Sequence, residues 1–213
     1  MSTLLAERPA PHFAARPSLE SGDHLAAAEF HRRYLERPDL PKTELIAGVV
    51  YVASPVRIPH HGIPHVLVTT EFGIYQKSRR GVRVSSEGTL KQDSDDEVRP
   101  DLMAYRASGG NAWLDAEGYL HGAPELIAEI SASSVSYDLH EKKDLYRRIG
   151  VREYIVWRVS DEAIDWWQLI DGEYFPISPD ASGVIHSVAF EGLQLDVPEL
   201  LAMAREAMQD IPG

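Results

Sequence analysis

Apolar residues recur along this chain in short runs, some at helical spacing and some in strand-like blocks. Residues 1–22 show no period and are rich in Pro, Ala and Ser, which predicts a flexible arm ahead of a single domain over 23–208. Helical spacing runs from about 24 to 35 and stops at ERPDLP; it returns from 65 to about 78. Between them, ELIAGVVYVA (44–53) predicts two strands about Ala47-Gly48, followed by the loop SPVRIPHHGIP. Residues 81–91 hold two short strand candidates, with a solvated hairpin tip at DSDDE. One strand is expected over 98–105, then a long surface excursion through ASGGNAWLDAEGYLHGAP. A strand at 126–130, a helix in DLHEKKDLYRRIG and strands at 153–159 and 164–170 follow. Strand candidates near Tyr174, Ile185 and Leu193 precede a closing helix over 197–208. This order predicts an α/β fold: a mixed central β-sheet flanked by helices, with extra strands in hairpin-rich N-terminal and C-terminal parts.

Two charges break the pattern. Glu129 interrupts Leu126-Ile127-Ala128-Glu129-Ile130, which otherwise reads as a buried strand. An unpaired carboxylate there costs several kcal/mol, roughly, so it needs a cation or a set of donors. On the following helix the apolar positions are Leu139, Leu145, Tyr146 and Ile149. At about 100° per residue their mean direction falls almost on Lys142, with Lys143 about a quarter-turn away toward solvent. Asp138 is expected to cap this helix and Gly150 to close it. A lysine is thus aimed at the layer that carries Glu129 and, after Pro100, Asp101. Two acids at neighbouring strand ends can hold a divalent metal, and a lysine beside them can organise water for attack on a phosphodiester. The bland alternatives are a turn aspartate, a structural Glu129–Lys142 bridge, and a lysine that snorkels to solvent.

Composition changes the picture in three places. The absence of cysteine excludes disulfides and thiolate zinc sites. No run of about 18 apolar residues occurs and the N-terminus lacks a signal-peptide pattern, so no membrane partner and a cytoplasmic location are expected. A net charge of -12 counts against DNA binding by the overall field, though Lys77, Arg79, Arg80 and Arg83 cluster, as do Lys142, Lys143, Arg147, Arg148 and Arg152. Empty metal-dependent sites are themselves acidic.

The chain resembles the bacterial putative restriction endonuclease family of the PD-(D/E)XK phosphodiesterase superfamily. The resemblance spans about 24–201 and rests on TELIAGVVYV, SPVRIPHHG, RPDLMAY, the long segment GYLHGAPELIAEISASSVSYDLHEKKDLYRRIGVREYIVWRV, IDWWQL and FEGLQLDVPELLA. It implies a restriction-endonuclease-like core and a Mg²⁺- or Mn²⁺-dependent enzyme acting on DNA. By it Asp101 and Glu129 are metal-binding acids, the Ile130 backbone carbonyl a further ligand, and Glu44 an acid at the edge of the site. Ser131 stands where the superfamily pattern has a lysine, and Lys142 matches a lysine moved to the next helix. His61, Ser131, Asp138 and Tyr146 are expected beside the site or facing substrate. A homodimer is compatible with this reading. So is a nuclease-fold protein that binds or regulates without catalysis, for which the acidic charge and Ser131 speak; a non-nucleic-acid phosphoester substrate ranks last.

Other motifs weigh less. His60, His61 and His65 suggest zinc, but Gly62 and Pro64 break helical pairing. Trp157, Trp166 and Trp167 could stack bases, yet core packing is the ordinary use of tryptophan in such strands. No GxSxG elbow is present in 131–136.

Overall fold

The computed structural model describes residues 19–92 and 95–209. Most of the expected flexible arm, 1–18, lies outside these. Residues 19–22 are docked, against expectation: Leu19 is buried with Phe30, Leu45 and Val50, and the Gly22 N–H donates to the Val50 carbonyl.

The order is α1 (Ala27–Leu35), β1 (Thr43–Ile46), β2 (Val49–Val52), α2 (Ile63–Ser78), β3 (Val82–Ser86), β4 (Leu90–Gln92), β5 (Asp96–Val98), β6 (Leu102–Arg106), β7 (Trp113–Leu114), β8 (Leu120–His121) and β9 (Leu126–Ser131). It continues through α3 (Val135–Tyr137), α4 (Lys143–Ile149), β10 (Glu153–Arg158), β11 (Ala163–Ile170), β12 (Glu173–Pro176), β13 (Val184–His186), β14 (Gln194–Asp196) and α5 (Val197–Gln209). The central sheet is mixed, in the order β12-β11-β10-β9-β6-β3, with β9 and β10 parallel across the α3–α4 crossover. The extra strands form a second six-stranded sheet, β2-β1-β5-β4-β8-β7, and β13–β14 make a hairpin. On one face of the central sheet Leu126, Ala128, Ile130 and Trp157 pack with α2 and α5; on the other, Ile127, Tyr154 and Val156 pack with α4 and with Ile46, Leu90 and Val98 of the second sheet.

Local chemistry explains several joints. Ala47 and Gly48 both have positive φ, which closes the β1–β2 hairpin, and Asp96 Oδ1 receives the Ala47 N–H at 2.7 Å. Gly150 ends α4 in the left-handed conformation, as expected.

Three expectations fail instructively. The single strand over 98–105 is two strands in different sheets, β5 and β6, joined by Arg99-Pro100-Asp101. Proline has no N–H to give a ladder and keeps its predecessor extended, so the chain changes sheet there. The surface excursion over 107–124 contains β7 and β8, and Leu120 is buried in the core between the sheets. The acidic tip is only partly a tip: Asp93 and Ser94 lie outside the described residues, whereas Asp96 and Glu97 are buried in β5. Asp96 faces Arg148 and Glu97 faces His31, partners too distant in sequence to foresee.

Trp157 and Trp166 are fully buried in the core, which removes them as base-stacking surfaces. Among the described residues no helix is long and apolar enough to cross a membrane.

Candidate active site

Where the chain crosses from one sheet to the other, two acids each bind a backbone N–H of the joint, and the acid of the joint binds one of β9. Glu44 of β1 accepts from Arg99 N at 2.7 Å, Glu129 of β9 from Asp101 N at 3.4 Å, and Asp101 Oδ2 from Ile130 N at 2.8 Å. The last bond has a simple cause. The β6 partner of β9 ends at the Leu102–Ala128 pair, so the ladder edge beyond is open and the Asp101 side chain takes the place of a strand. Ile130 turns its N–H to that edge, and in an extended strand its carbonyl faces the same way.

Lys142 enters from the crossover helix. Its ammonium lies 2.9 Å from Glu44 Oε2, 3.0 Å from Glu129 Oε1 and 3.8 Å from Asp138 Oδ1. The residue is 2% exposed, whereas Lys143 is half-buried with its ammonium over the Trp167 ring. The apolar-stripe argument thus identified the inward lysine. Tyr146 donates to the same Glu129 oxygen at 2.7 Å. Asp138 departs from expectation. It makes no cap hydrogen bond, because the helix begins a turn earlier at Val135 and Asp138 opens a π-helical turn, Asp138–Lys142, inside it. Its buried carboxylate accepts from Ser131 and Ser134, so the residue at the usual lysine position serves as its donor.

Two of the three histidines, His61 and His65, converge on Asp101 rather than on one another's nitrogens. A second π-helical turn, Ile58–Gly62, carries His61, whose Nε2 donates to Asp101 Oδ2 at 3.2 Å. His65 Nε2 lies 3.0 Å from the Asp101 carbonyl oxygen. π-Turns insert a residue into a helix and are common where side chains must be re-aimed at a site.

One site residue escaped the sequence reading altogether. Lys42, just before β1, places its ammonium 2.7 Å from Asp101 Oδ1. Its only signal was a position two residues before Glu44, too weak to single it out.

Four buried carboxylates, Glu44, Asp101, Glu129 and Asp138, therefore face two ammoniums, a formal excess of two negative charges. Electrostatics reflect the crowding. Burial pushes the Glu129 carboxyl up to about 8 against the pull of Lys142. Burial also raises Asp138, over the opposing Lys142 and its serine donors. Burial works against the Asp101 charge too, but Lys42 and His61 outweigh it and hold that carboxyl far below the usual range. Lys142 resists its own burial because Glu129, Glu44 and Asp138 surround it, and its ammonium stays well above the ordinary lysine value.

Among the described residues, no three His, Asp or Glu side chains are arranged to hold a metal ion as they stand; the lysines supply the counter-charge. The donor set nevertheless fits a hard divalent cation: it is all carboxylate and carbonyl oxygen, and its acids outnumber its ammoniums, so an added cation would favour their ionised forms. The Tyr137 hydroxyl is also buried near this cluster without a hydrogen-bond partner among the described residues.

Residues 27–198 match the family described as Uma2, putative restriction endonuclease. The chain belongs to that family. Its fold is also similar to a crystal structure of a putative nuclease belonging to DUF820 from Anabaena variabilis, with a TM-score of 0.64 and 14% identity over 81% of this chain and 97% of the other. At that identity the likeness speaks to the fold. No curated protein matches the chain. The matched Uma2 region contains every acid and both lysines of the cluster.

Proposed function

We propose that this chain is a divalent-metal-dependent endonuclease that hydrolyses DNA phosphodiester bonds. The observation that carries the reading is the buried cluster at the sheet crossover, where four carboxylates share two lysines. A fold that only needed a salt bridge there would match each acid to a cation; burying four carboxyls against two ammoniums costs several kcal/mol, roughly, and drives the Glu129 carboxyl up to about 8. Family membership and the likeness to a DUF820 nuclease fold support the same class.

Asp101 and Glu129 would hold Mg²⁺ or Mn²⁺, with the Ile130 carbonyl as a further ligand and Glu44 at the edge. When bound, such an ion polarises the scissile phosphate and lowers the pKa of a coordinated water. The chain's own groups do the rest. His61 and the Ile130 N–H orient Asp101, while Tyr146 and Lys142 orient Glu129. Asp138, fixed by two serine hydroxyls, keeps Lys142 in place.

A second reading, a nuclease-fold protein that binds or regulates without cleaving, draws on one specific observation. Ser131 occupies the usual lysine position and its hydroxyl is committed to Asp138. A nuclease assay with Mg²⁺ or Mn²⁺ on supercoiled, linear and single-stranded DNA separates the two. The enzyme reading expects cleavage by wild type and none by Asp101→Ala. Equal behaviour of the two proteins would leave the non-catalytic reading.

A further inference from the structure

The two lysines of the cluster are held very differently. Lys142 has three carboxylates within 3.8 Å, only 3% of its side chain is exposed, and its ammonium lies above the Tyr137 ring. It cannot turn to a substrate without abandoning a buried pair. Among the described residues Lys42 touches a single carboxylate oxygen, and its side chain is 21% exposed. Its long stem starts at the edge of β1, so the ammonium can swing several ångströms and remain at the site mouth. The oxygen it holds matters as well. Asp101 Oδ2 is taken by two fixed donors, Ile130 N–H and His61, whereas among the described residues Oδ1 has Lys42 alone. Oδ1 is therefore the oxygen a cation can claim, and Lys42 stands where that cation would lie.

We propose that Lys42, not Lys142, is the lysine that meets the substrate: it yields Asp101 Oδ1 to a divalent cation and takes a non-bridging oxygen of the DNA phosphate instead. Lys142 is then a positioning residue that holds Glu129 and Glu44. The inference rests on the endonuclease reading and deepens it. A divalent cation and an ammonium repel each other at one oxygen, and an ammonium displaced from a carboxylate finds a strong new partner in a phosphate. The exchange needs no covalent step and no added reactant.

The test uses the full chain with Lys42→Met, Lys42→Arg and Lys142→Met, titrated with Ca²⁺ by calorimetry. Binding to a labelled duplex in Ca²⁺ is followed by anisotropy across a salt series, with strand integrity checked. Lys42→Met should bind Ca²⁺ about tenfold more tightly, because an opposing charge is gone. Its DNA affinity should fall, and the slope of log affinity against log salt should shrink by about one, the signature of a lost phosphate contact. Lys42→Arg should keep the wild-type slope. In Mn²⁺, Lys42→Met should cleave about a hundredfold more slowly. Lys142→Met should lose thermal stability while its salt slope is unchanged.

Unchanged Ca²⁺ affinity in Lys42→Met, or an unchanged salt slope, overturns the proposal. So does wild-type cleavage by Lys42→Met in a preparation where Asp101→Ala is inactive, and that outcome leaves the endonuclease reading standing. If wild type neither cleaves nor binds any DNA, the endonuclease reading fails and takes the phosphate contact with it. The Ca²⁺ titration then reports on Lys42 as a counter-ion alone.

Discussion

Glu129 and Glu153 stand on neighbouring parallel strands of the central sheet, both buried to within 2% of full exclusion from solvent, yet they are answered in opposite ways. Glu153 opens β10 and points to the α2–α5 face. It accepts from Ser187 Oγ, the Val188 and Ala189 N–H groups and Trp166 Nε1, four neutral donors at fixed places. Glu129 lies near the end of β9 on the other face and is answered by an ammonium, a phenol and one long N–H bond, with further carboxylates alongside. A buried carboxylate is therefore not in itself the mark of a site. Fixed dipoles that exhaust its lone pairs make a staple, here pinning the 187–189 segment to the sheet. An ammonium shared among several acids leaves a charge that something else can balance. The C-terminal ends of parallel strands, where Glu129 sits, are also the usual side for ligands in α/β sheets.

The largest contrast concerns activity. Glu129→Ala should lower metal-dependent DNA cleavage by about a thousandfold or more while the chain stays folded by circular dichroism. Glu153→Ala should keep wild-type turnover per folded molecule. A folded Glu153→Ala that had lost cleavage to the same degree would erase the distinction.

Next comes stability at the lysine. Lys142→Ala leaves Glu44, Glu129 and Asp138 buried without their shared cation, and urea denaturation should register a loss of about 3–5 kcal/mol. Lys143→Ala removes only a partly exposed ammonium from the face of Trp167 and should cost about 1 kcal/mol or less. Equal losses would mean that the charge excess around Lys142 is relieved in some other way.

A smaller loss is expected at the staple. Glu153→Gln places an amide NH₂ where two donors now point, so about 1–3 kcal/mol should disappear, with divalent-cation affinity unchanged by calorimetry. A change in metal affinity would tie the two glutamates together across the sheet.

The smallest effect is a slope in pH. Burial lifts the Glu153 carboxyl above its ordinary value of 4.5, against the pull of its donors. The folded chain then holds that proton more tightly than the unfolded chain does. This share of stability is complete below about 4.5 and is lost as the pH rises through the higher folded value. Glu153→Gln cannot titrate, so its melting temperature should vary less with pH from 4.5 upward than that of wild type. Parallel curves would show that Glu153 is ionised in the fold across the whole range.

Much of this was legible in the chain itself. The charged interruption at Glu129, the inward direction of Lys142, the turn at Ala47-Gly48 and the close at Gly150 all follow from local spacing and side-chain type. Such rules act over a few residues, and there they were sufficient. Family motifs brought in Asp101 and Glu44 as well. Lys42, the pairing of Asp96 with Arg148 and the donor set of Glu153 carried no such signal, because each depends on partners 13 to 59 residues away.

The sequence by itself determined which residues break the apolar pattern, hence which strand and which helix bring charge inward. Only the tertiary structure decided that residues 96–106 divide between two sheets at Pro100, that Asp138 lies inside its helix rather than at its start, and that Lys42 occupies the open oxygen of Asp101. The reason is physical. Spacing reports the direction of a side chain relative to its own element. What that side chain meets is set by how elements stack, and the π-turns at 58–62 and 138–142 re-aim two of them with no mark in the hydrophobic period.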